Sequence, residues 1–454
     1  MCQWIFDDRA RRASGMKLFA LMLVFLLGLH AEEFKGTFIT EPVFNASVYM
    51  QTVGNLENPV VVLVHGLGDE ASTIWERTVE LLKNDYCVVT FDLPGFGQSS
   101  KSNELYSPLN YAKVIRYITQ TYVKKPFHLV GHSMGGAIAL KYTSMYPSDV
   151  QSLVLVDAAG ILHKFAYSQF LVHSGVNRFF DEQNGLIQGL QTQKLNNFID
   201  KMTDKFDNKM RLDMDVVLAS EELRSVILGG IPSTIAAVAL VEANFNAIPA
   251  AIPTRTTIIW GEDDGVAPIQ TGYVLAKLMP NATLKMISHA GHVPMLSHEE
   301  AFSSLVLAHL KTQGRIPQQH ARTKTEAYSL KLKNVQEKTY TGTIQNMTIQ
   351  DSQKIVIKDA TIEDLVVVSS DVEIINSTFK GKKERVISSQ NSTLSIVASD
   401  LFGSIKLDNT RLNLAGITMS SYHKPFEVMK RSTAVFSLCT INEKLIHGKE
   451  ILEK

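Results

Sequence analysis

The chain has 454 residues, enough for two or three domains. Hydrophobic residues make up 45% and charged residues 20%, a globular balance that excludes a mainly disordered chain, a collagen-like chain and a coiled coil. Lys plus Arg and Asp plus Glu are both 45, so the formal charge is zero and no basic excess steers the protein to nucleic acid.

Residues 18–29 read LFALMLVFLLGL, behind Arg9, Arg11, Arg12 and Lys17. That run has the length of a signal-peptide core and is short for a bilayer span. The expectation is a signal peptide over residues 1–31, cleaved near Ala31, with Met16 as an alternative start. The mature protein is then exported, periplasmic or extracellular. An uncleaved N-terminal anchor is the competing reading. The three cysteines, Cys2, Cys87 and Cys439, match neither a zinc spacing nor a disulfide framework.

Val60 to Val64 (VVVLV) is a near-continuous β-branched run, as a strand buried on both faces of a parallel sheet requires. Helical and strand patterns then alternate. Ser72 to Lys83 reads as a helix with Ser72 or Thr73 as N-cap, and Tyr86 to Phe91 as a strand. Tyr111 to Tyr122 reads as a helix, Phe127 to Val130 as a strand, Met134 to Tyr146 as a helix and Ser152 to Val156 as a strand. Between Gly160 and Pro253 strand signals thin out and helical ones dominate, which reads as an insertion. Strands resume at Thr256 to Trp260 and Thr283 to Ile287, and a helix from Glu299 to Lys311 closes the region. The expected class is α/β, with a mostly parallel sheet over residues 32–313.

Residues 314–327 form a polar linker containing Pro317. From 328 to 448 helical periodicity disappears, and similar phrases recur 17 to 22 residues apart, among them Ala360-Thr361-Ile362, Ser377-Thr378-Phe379 and Ile417-Thr418-Met419. Short strands and polar turns at such a period suit stacked coils, each unable to bury its apolar face alone. The expectation is an all-β region, a right-handed parallel β-solenoid (β-helix), with a β-sandwich as the alternative. Asp371, Asn376, Asn391, Asp408 and Asn409 could bind a glycan or calcium there, but Asn and Asp are also what turns require.

The chemistry concentrates in three places. Gly131-His132-Ser133-Met134-Gly135 follows a strand and opens a helix, so the turn lifts the Ser133 hydroxyl clear of the sheet at a helix N-terminus. A free hydroxyl is a poor nucleophile and needs a base. His292, in His289-Ala290-Gly291-His292-Val293-Pro294, is the candidate, with His289 as competitor. The base needs a carboxylate to set its tautomer. Asp264, in the loop after the 256–260 strand, is that candidate, with Glu262 and Asp263 as alternatives. His65-Gly66-Leu67-Gly68 follows VVVLV, and there the backbone can approach a substrate carbonyl. The N–H groups of Leu67 and Met134 are the expected oxyanion hole.

Taken together, HGLG, DLPGFGQS (Asp92 to Ser99), GHSMGG, WGEDDGVAP and HAGHVP make residues 34–310 resemble the α/β-hydrolase fold superfamily, in its capped serine esterase, lipase and peptidase-like branch. The resemblance implies nucleophile Ser133, acid Asp264 and base His292, in the chain order Ser…Asp…His of that superfamily. It also implies that residues 160–253 form a helical cap, and that Asp92, Gly95, Gly97 and Ser99 shape a loop. A serine nucleophile argues against the branches that use a carboxylate. In the cap, Phe165, Tyr167, Phe170, Phe179 and Phe180 line an acyl pocket or form the cap's own core. His128, His163 and His173 show no ligand spacing, and neither a metal nor an organic cofactor is expected.

The reading is a hydrolase of an ester or related acyl bond acting on a small-molecule or lipid-like substrate, with the C-terminal region available for cell-envelope or glycan contact. Two alternatives stand beside it. The same three residues could serve an aminopeptidase, a C–C bond hydrolase or an acyltransferase. Alternatively, the chain could be an envelope- or glycan-binding protein with a vestigial hydrolase domain.

Overall fold

A computed structural model describes residues 36–166, 213–312, 314 and 326–453. The proposed signal peptide, most of the 314–327 linker and cap residues 167–212 lie outside the described residues. So do Tyr167, Phe170, His173, Phe179 and Phe180.

The first sheet has eight strands: β1 (Thr37–Glu41), β2 (Ala46–Val53), β3 (Val60–Val64), β4 (Cys87–Phe91), β5 (Phe127–His132), β6 (Val150–Val156), β7 (Thr256–Gly261) and β8 (Ala282–Ile287). Their spatial order is β1-β2-β4-β3-β5-β6-β7-β8. β2 runs antiparallel to β4, and every later neighbouring pair is parallel. All five residues of β3 and all five of β4 are buried, because helices cover both faces. The helix Pro108–Ile118 starts on Ser107, whose Oγ accepts from the Asn110 N–H, and it buries Tyr111, Ala112, Val114, Ile115 and Ile118 against the sheet. The expected α/β class with a mostly parallel sheet holds. Of the helical insertion, the described part forms helices Met214–Ala219, Glu221–Leu228 and Pro232–Glu242.

Two local expectations change. The helix predicted from Ser72 begins as a 3₁₀ turn, Ala71–Trp75, and is α-helical only over Glu76–Leu82. Ser72 does not cap it, because its hydroxyl donates to Asp92 Oδ1 at 2.5 Å. A helix over Ile269–Leu278 is not among the predicted elements. Its N-cap is Pro268, which has no side-chain acceptor, and Gly272 interrupts its apolar face. Gly272 sits there because Trp260 and Leu284 press against that position.

The C-terminal region is all β, as expected. Its strands are β9 (Tyr328–Lys333), β10 (Gln336–Gln350), β11 (Gln353–Val368), β12 (Asp371–Ile375), β13 (Thr378–Gln390), β14 (Thr393–Val397), β15 (Asp400–Asp408), β16 (Arg411–Ala415), β17 (Thr418–Ser420), β18 (Phe426–Val428), β19 (Ser432–Ile441) and β20 (Lys444–Leu452). The ladders β12-β14-β16-β19-β17-β15-β13-β11 return to β12, closing a ring of eight parallel strands. Among the described strands of this region, only β20 is antiparallel, on β19. Apolar residues stack in register inside the ring. Ile357 pairs with Ile374, Ile374 with Ile396, Ile396 with Leu414, and Leu414 with Phe436. Buried hydroxyls form a second ladder. Ser352 N–H donates to Ser370 Oγ, Ser370 N–H to Ser392 Oγ and Thr410 N–H to Ser432 Oγ, at 3.0–3.1 Å, so buried turn amides stay satisfied. Asn376, Asn391 and Asn409 adopt left-handed φ values of 46° to 49°, a turn role that suits Asn.

The described residues from Phe38 onward pack as one compact unit. Val397, Ala398, Ala415, Val435 and Leu438 of the β region join the hydrophobic core of the α/β region. Helix Ile269–Leu278 carries the polar part of this junction. Lys277 Nζ donates to Ser399 O and Asp400 Oδ1 at 2.6 and 2.7 Å, and Gln270 Nε2 donates to Glu373 Oε1 at 2.6 Å. Gly416 has φ +58°, and a Cβ there would lie 2.8 Å from Val274 of that helix. Gly416→Ala therefore adds both backbone strain and overlap. We expect a loss of about 1–3 kcal/mol of stability, seen as a lower denaturant midpoint at unchanged slope.

Candidate active site

β5 ends at His132, and Ser133 turns the chain into the helix Met134–Met145 with φ +54° and ψ −120°, a strained conformation for a non-glycine residue. Neighbouring carbonyls hold it there: Ser133 N–H donates to Val156 O at 2.9 Å, and Ser133 O accepts from Gly136 N–H at 2.9 Å. The turn fits only because the residues two before and two after Ser133 are glycines. A Cβ at Gly131 would lie 2.3 Å from Gly135 O, and one at Gly135 would lie 2.4 Å from Val64 O and His65 O.

The structure brings Ser133, His292 and Asp264 into one row at the C-terminal edge of the sheet. His292 Nε2 is 2.9 Å from Ser133 Oγ, and His292 Nδ1 is 2.9 Å from Asp264 Oδ2. All three are buried, with 6% to 8% of each residue's surface exposed. Asp264 Oδ1 accepts from the Val266 and Ala267 N–H groups at 2.8 and 3.0 Å, which fixes the carboxylate plane. A carboxylate only accepts, so Nδ1–H of His292 donates to it and Nε2 is left to accept from the Ser133 hydroxyl. Such a row can take a proton from the hydroxyl as its oxygen attacks. The sequence alternatives sit elsewhere. The His289 side chain is 89% exposed and pairs loosely with Asp263 at 3.7 Å, while Glu262 is exposed.

Leu67 follows β3 on the same edge, and Met134 opens its helix, where a first-turn N–H has no intrahelical carbonyl to meet. Two histidines that the sequence does not mark as functional brace this edge. His65 Nε2 accepts from Leu93 N–H at 2.8 Å, so its Nδ1–H donates to Gly66 O at 2.7 Å, tying the Gly66–Leu67 loop to the Leu93 loop. His132 Nε2–H donates to the His292 carbonyl at 2.7 Å and anchors the base's backbone. Burial pushes both imidazoles down, His65 to about 4 and His132 to about 3.

That depression sets a pH dependence. Below pH 6.5 the unfolded chain takes up protons that the folded chain refuses until about pH 4 for His65 and about pH 3 for His132. Stability is therefore complete above pH 6.5 and falls as pH drops through that window. The expected result is a melting temperature that declines steadily from pH 7 to pH 4, with a shallower decline in His132→Gln.

The Asp92 loop is a brace. Asp92 accepts from Ser72 N–H at 3.0 Å and Gln98 N–H at 2.8 Å, and Ser99 Oγ donates to Asp92 O at 2.6 Å. Of the aromatic residues expected in the cap, Phe165 is described; it is packed against the core, with its ring stacked on His163 and under Lys449 Nζ.

A mostly parallel eight-stranded sheet with a serine on a strained strand–helix turn, facing a histidine and an aspartate from two later loops, defines an α/β hydrolase. The alpha/beta hydrolase fold model matches residues 59–299, and the chain belongs to that family. The family expectation drawn from the five motifs thus holds, and the protein is a hydrolase. Among curated relatives, the pimeloyl-[acyl-carrier protein] methyl ester esterase of Chromobacterium violaceum is 27% identical over 274 residues, covering 59% of this chain and 99% of that protein. The 2-hydroxy-6-oxononadienedioate/2-hydroxy-6-oxononatrienedioate hydrolase of a Pseudomonas species is 28% identical over 288 residues, covering 59% and 93%. Among solved structures, a hydrolase from Pseudomonas aeruginosa PA01 aligns over 62% of this chain and 100% of its own, with TM-score 0.46 and 18% identity.

Proposed function

We propose that the protein is a serine hydrolase that cleaves an ester of a small-molecule or lipid-like substrate through an acyl-enzyme intermediate. The observation that carries this reading is the row from Ser133 Oγ through His292 to Asp264, with both contacts at 2.9 Å. Ser133 Oγ attacks the carbonyl carbon as its proton passes to His292 Nε2. The Leu67 and Met134 N–H groups stabilise the oxyanion. His292 then protonates the departing alcohol, and the acyl group stays on Ser133. Water enters, loses a proton to His292 and attacks the acyl carbon. Collapse returns the proton to Ser133 Oγ and releases the acid. Asp264 holds the imidazole and stabilises its cationic form at each transfer. Ester chemistry is favoured over the other acyl chemistries by the esterase relative.

The test is a panel of p-nitrophenyl esters of graded chain length with the purified protein. Turnover that depends on chain length supports the reading; no turnover on any ester in the panel contradicts it. Asp264→Asn is expected to lower kcat by about 10³–10⁴-fold, because Asn presents a donor to Nδ1 and favours the wrong imidazole tautomer. An equal kcat in the variant contradicts the role given to Asp264.

Residues 160–253 act as the cap that sets chain-length preference. The C-terminal region is a β-solenoid of stacked coils: in the closed ring, strand residues pair in parallel with residues about one coil further on, 17 positions for Ile357–Ile374, 18 for Leu394–Leu412 and 22 for Thr418–Thr440. Its junction with the helix Ile269–Leu278 suggests a buttress, and its outer face is available to an envelope component. The N-terminal apolar run supports export.

A further inference from the structure

Asp157 ends the chain's passage along β6 and is fully buried. It takes φ +44°, a left-handed conformation tolerated by Asp and Asn. Its Oδ1 accepts from Gly261 N–H at 2.8 Å, while its Oδ2 has no donor among the described residues. Gly261 ties the two acids together, its N–H on Asp157 and its carbonyl accepting from the Asp264 N–H at 3.3 Å, which sets the Asp157 carboxyl beside that of Asp264. Two ionised carboxylates in contact, both shut off from water, repel strongly, and one proton between them removes the repulsion. The same proton gives the orphaned oxygen a partner. Which residue carries it follows from the donors. Three N–H groups (Val266, Ala267 and His292) point at Asp264, and one (Gly261) points at Asp157. Hydrogen bonds to the charged form favour it, so the negative charge stays on Asp264.

We infer that Asp157 is held as a neutral carboxylic acid whose O–H donates to the Asp264 carboxylate, which makes it a positioning residue for the Ser133–His292–Asp264 row. The inference rests on the serine-hydrolase reading for its effect on turnover, but not for the protonation itself. Burial first, and then the Asp264 charge, push the Asp157 carboxyl well above the usual carboxylate range. The other titratable groups near the pair do not supply a competing cation. His292 is engaged by Asp264, buried His132 is held neutral and spends its Nε2–H on the His292 carbonyl, and Glu262, Asp263 and His289 are exposed on the flanking loops. The fourth donor completes the shell of Asp264, so the carboxylate can neither rotate away from Nδ1 nor readily draw its proton.

Asn is the discriminating replacement, because its Oδ1 can accept from Gly261 and its Nδ2 can donate to Asp264. The first measurement needs no activity: melting temperatures of wild type and Asp157→Asn from pH 4 to pH 8. If folded Asp157 keeps a proton that unfolded Asp157 releases above about pH 4, wild-type stability falls relative to the variant as pH rises. The expected result is a melting-temperature difference, variant minus wild type, that grows with pH. A difference that is flat, or that turns against the variant towards neutral pH, means that Asp157 is ionised and overturns the inference. The second measurement is the kcat/KM profile against pH. Asp157→Asn is expected within about threefold of wild type with the same profile, and Asp157→Leu at least tenfold lower, mostly in kcat. A tenfold loss in Asp157→Asn, or a profile shifted in that variant, also overturns it. If wild type turns over no ester, the serine-hydrolase reading fails, and the melting curves still decide where the proton sits.

Discussion

Ser133→Ala is expected to lower kcat for a p-nitrophenyl ester by about 10⁴–10⁶-fold while the fold survives. The loss is large because the hydroxyl is the attacking atom. Without it, His292 Nε2 loses the hydroxyl held 2.9 Å away, and no acyl-enzyme can form. The residual rate should be that of a binding site with oxyanion-stabilising N–H groups alone. The fold should survive because Ser133 is anchored by its backbone, through its N–H to Val156 O and its carbonyl to Gly136 N–H. Removing one Oγ opens little space, and alanine's Cβ already exists in serine. The melting temperature of Ser133→Ala should therefore stay within a few degrees of wild type, or rise slightly, since strained catalytic positions are often improved by truncation. A comparable loss of melting temperature and activity would mean that the serine is structural.

Gly135→Ala is expected to have the opposite profile, a failure of folding rather than of chemistry. A Cβ at this position lies 2.4 Å from two backbone oxygens, those of Val64 and His65, and 2.8 Å from the Val64 carbonyl carbon. Those atoms belong to β3 and the turn after it, and β3 is fully buried between β4 and β5. No side-chain rotation relieves the overlap. Either the helix Met134–Met145 moves off the sheet, or β3 shifts and breaks its ladders. We expect a loss of about 3 kcal/mol or more, the top of the range for core overpacking because backbone atoms cannot give way, against a total stability near 5–15 kcal/mol. The protein should be largely insoluble on expression, or should melt well below wild type by circular dichroism. If it folds, ester turnover should fall as well, since any shift of that helix carries Ser133 away from His292. Normal solubility and melting would show that the helix sits farther from β3.

Much of the site is legible in the chain itself. Ser133, Asp264 and His292 stand in recognisable motifs, and backbone crowding dictates the glycines Gly131, Gly135 and Gly261 among them, so there the motif and the geometry are two views of one constraint. The α/β alternation is equally readable, because β3 and β4 are buried on both faces and must be apolar throughout. Asp157 is not legible. It lies in VLVDAAG, where nothing local distinguishes a buried acid from a turn residue, and its meaning comes from Gly261 and Asp264, more than 100 positions away. Ser72 misleads for a related reason: a serine ahead of a helical pattern reads as a cap, but the tertiary contact with Asp92 takes its hydroxyl. The helix Ile269–Leu278 is hidden because its start lacks a polar cap and its glycine serves packing on Trp260. In the C-terminal region the repeat length is visible, since stacking forces like residues into register. The closure of the ladders into a ring is not, because it depends on β11 pairing with β12 along one half and β13 along the other.

The most direct test of the account is covalent labelling with a fluorophosphonate, followed by intact-mass and peptide mass spectrometry at neutral pH. Such reagents react with a serine only when a neighbouring base activates it. One adduct per chain is expected, on Ser133, abolished in Ser133→Ala and slowed at least a hundredfold in Asp264→Asn. No adduct on the folded wild-type protein, or an adduct on another serine that persists in Ser133→Ala, would contradict it.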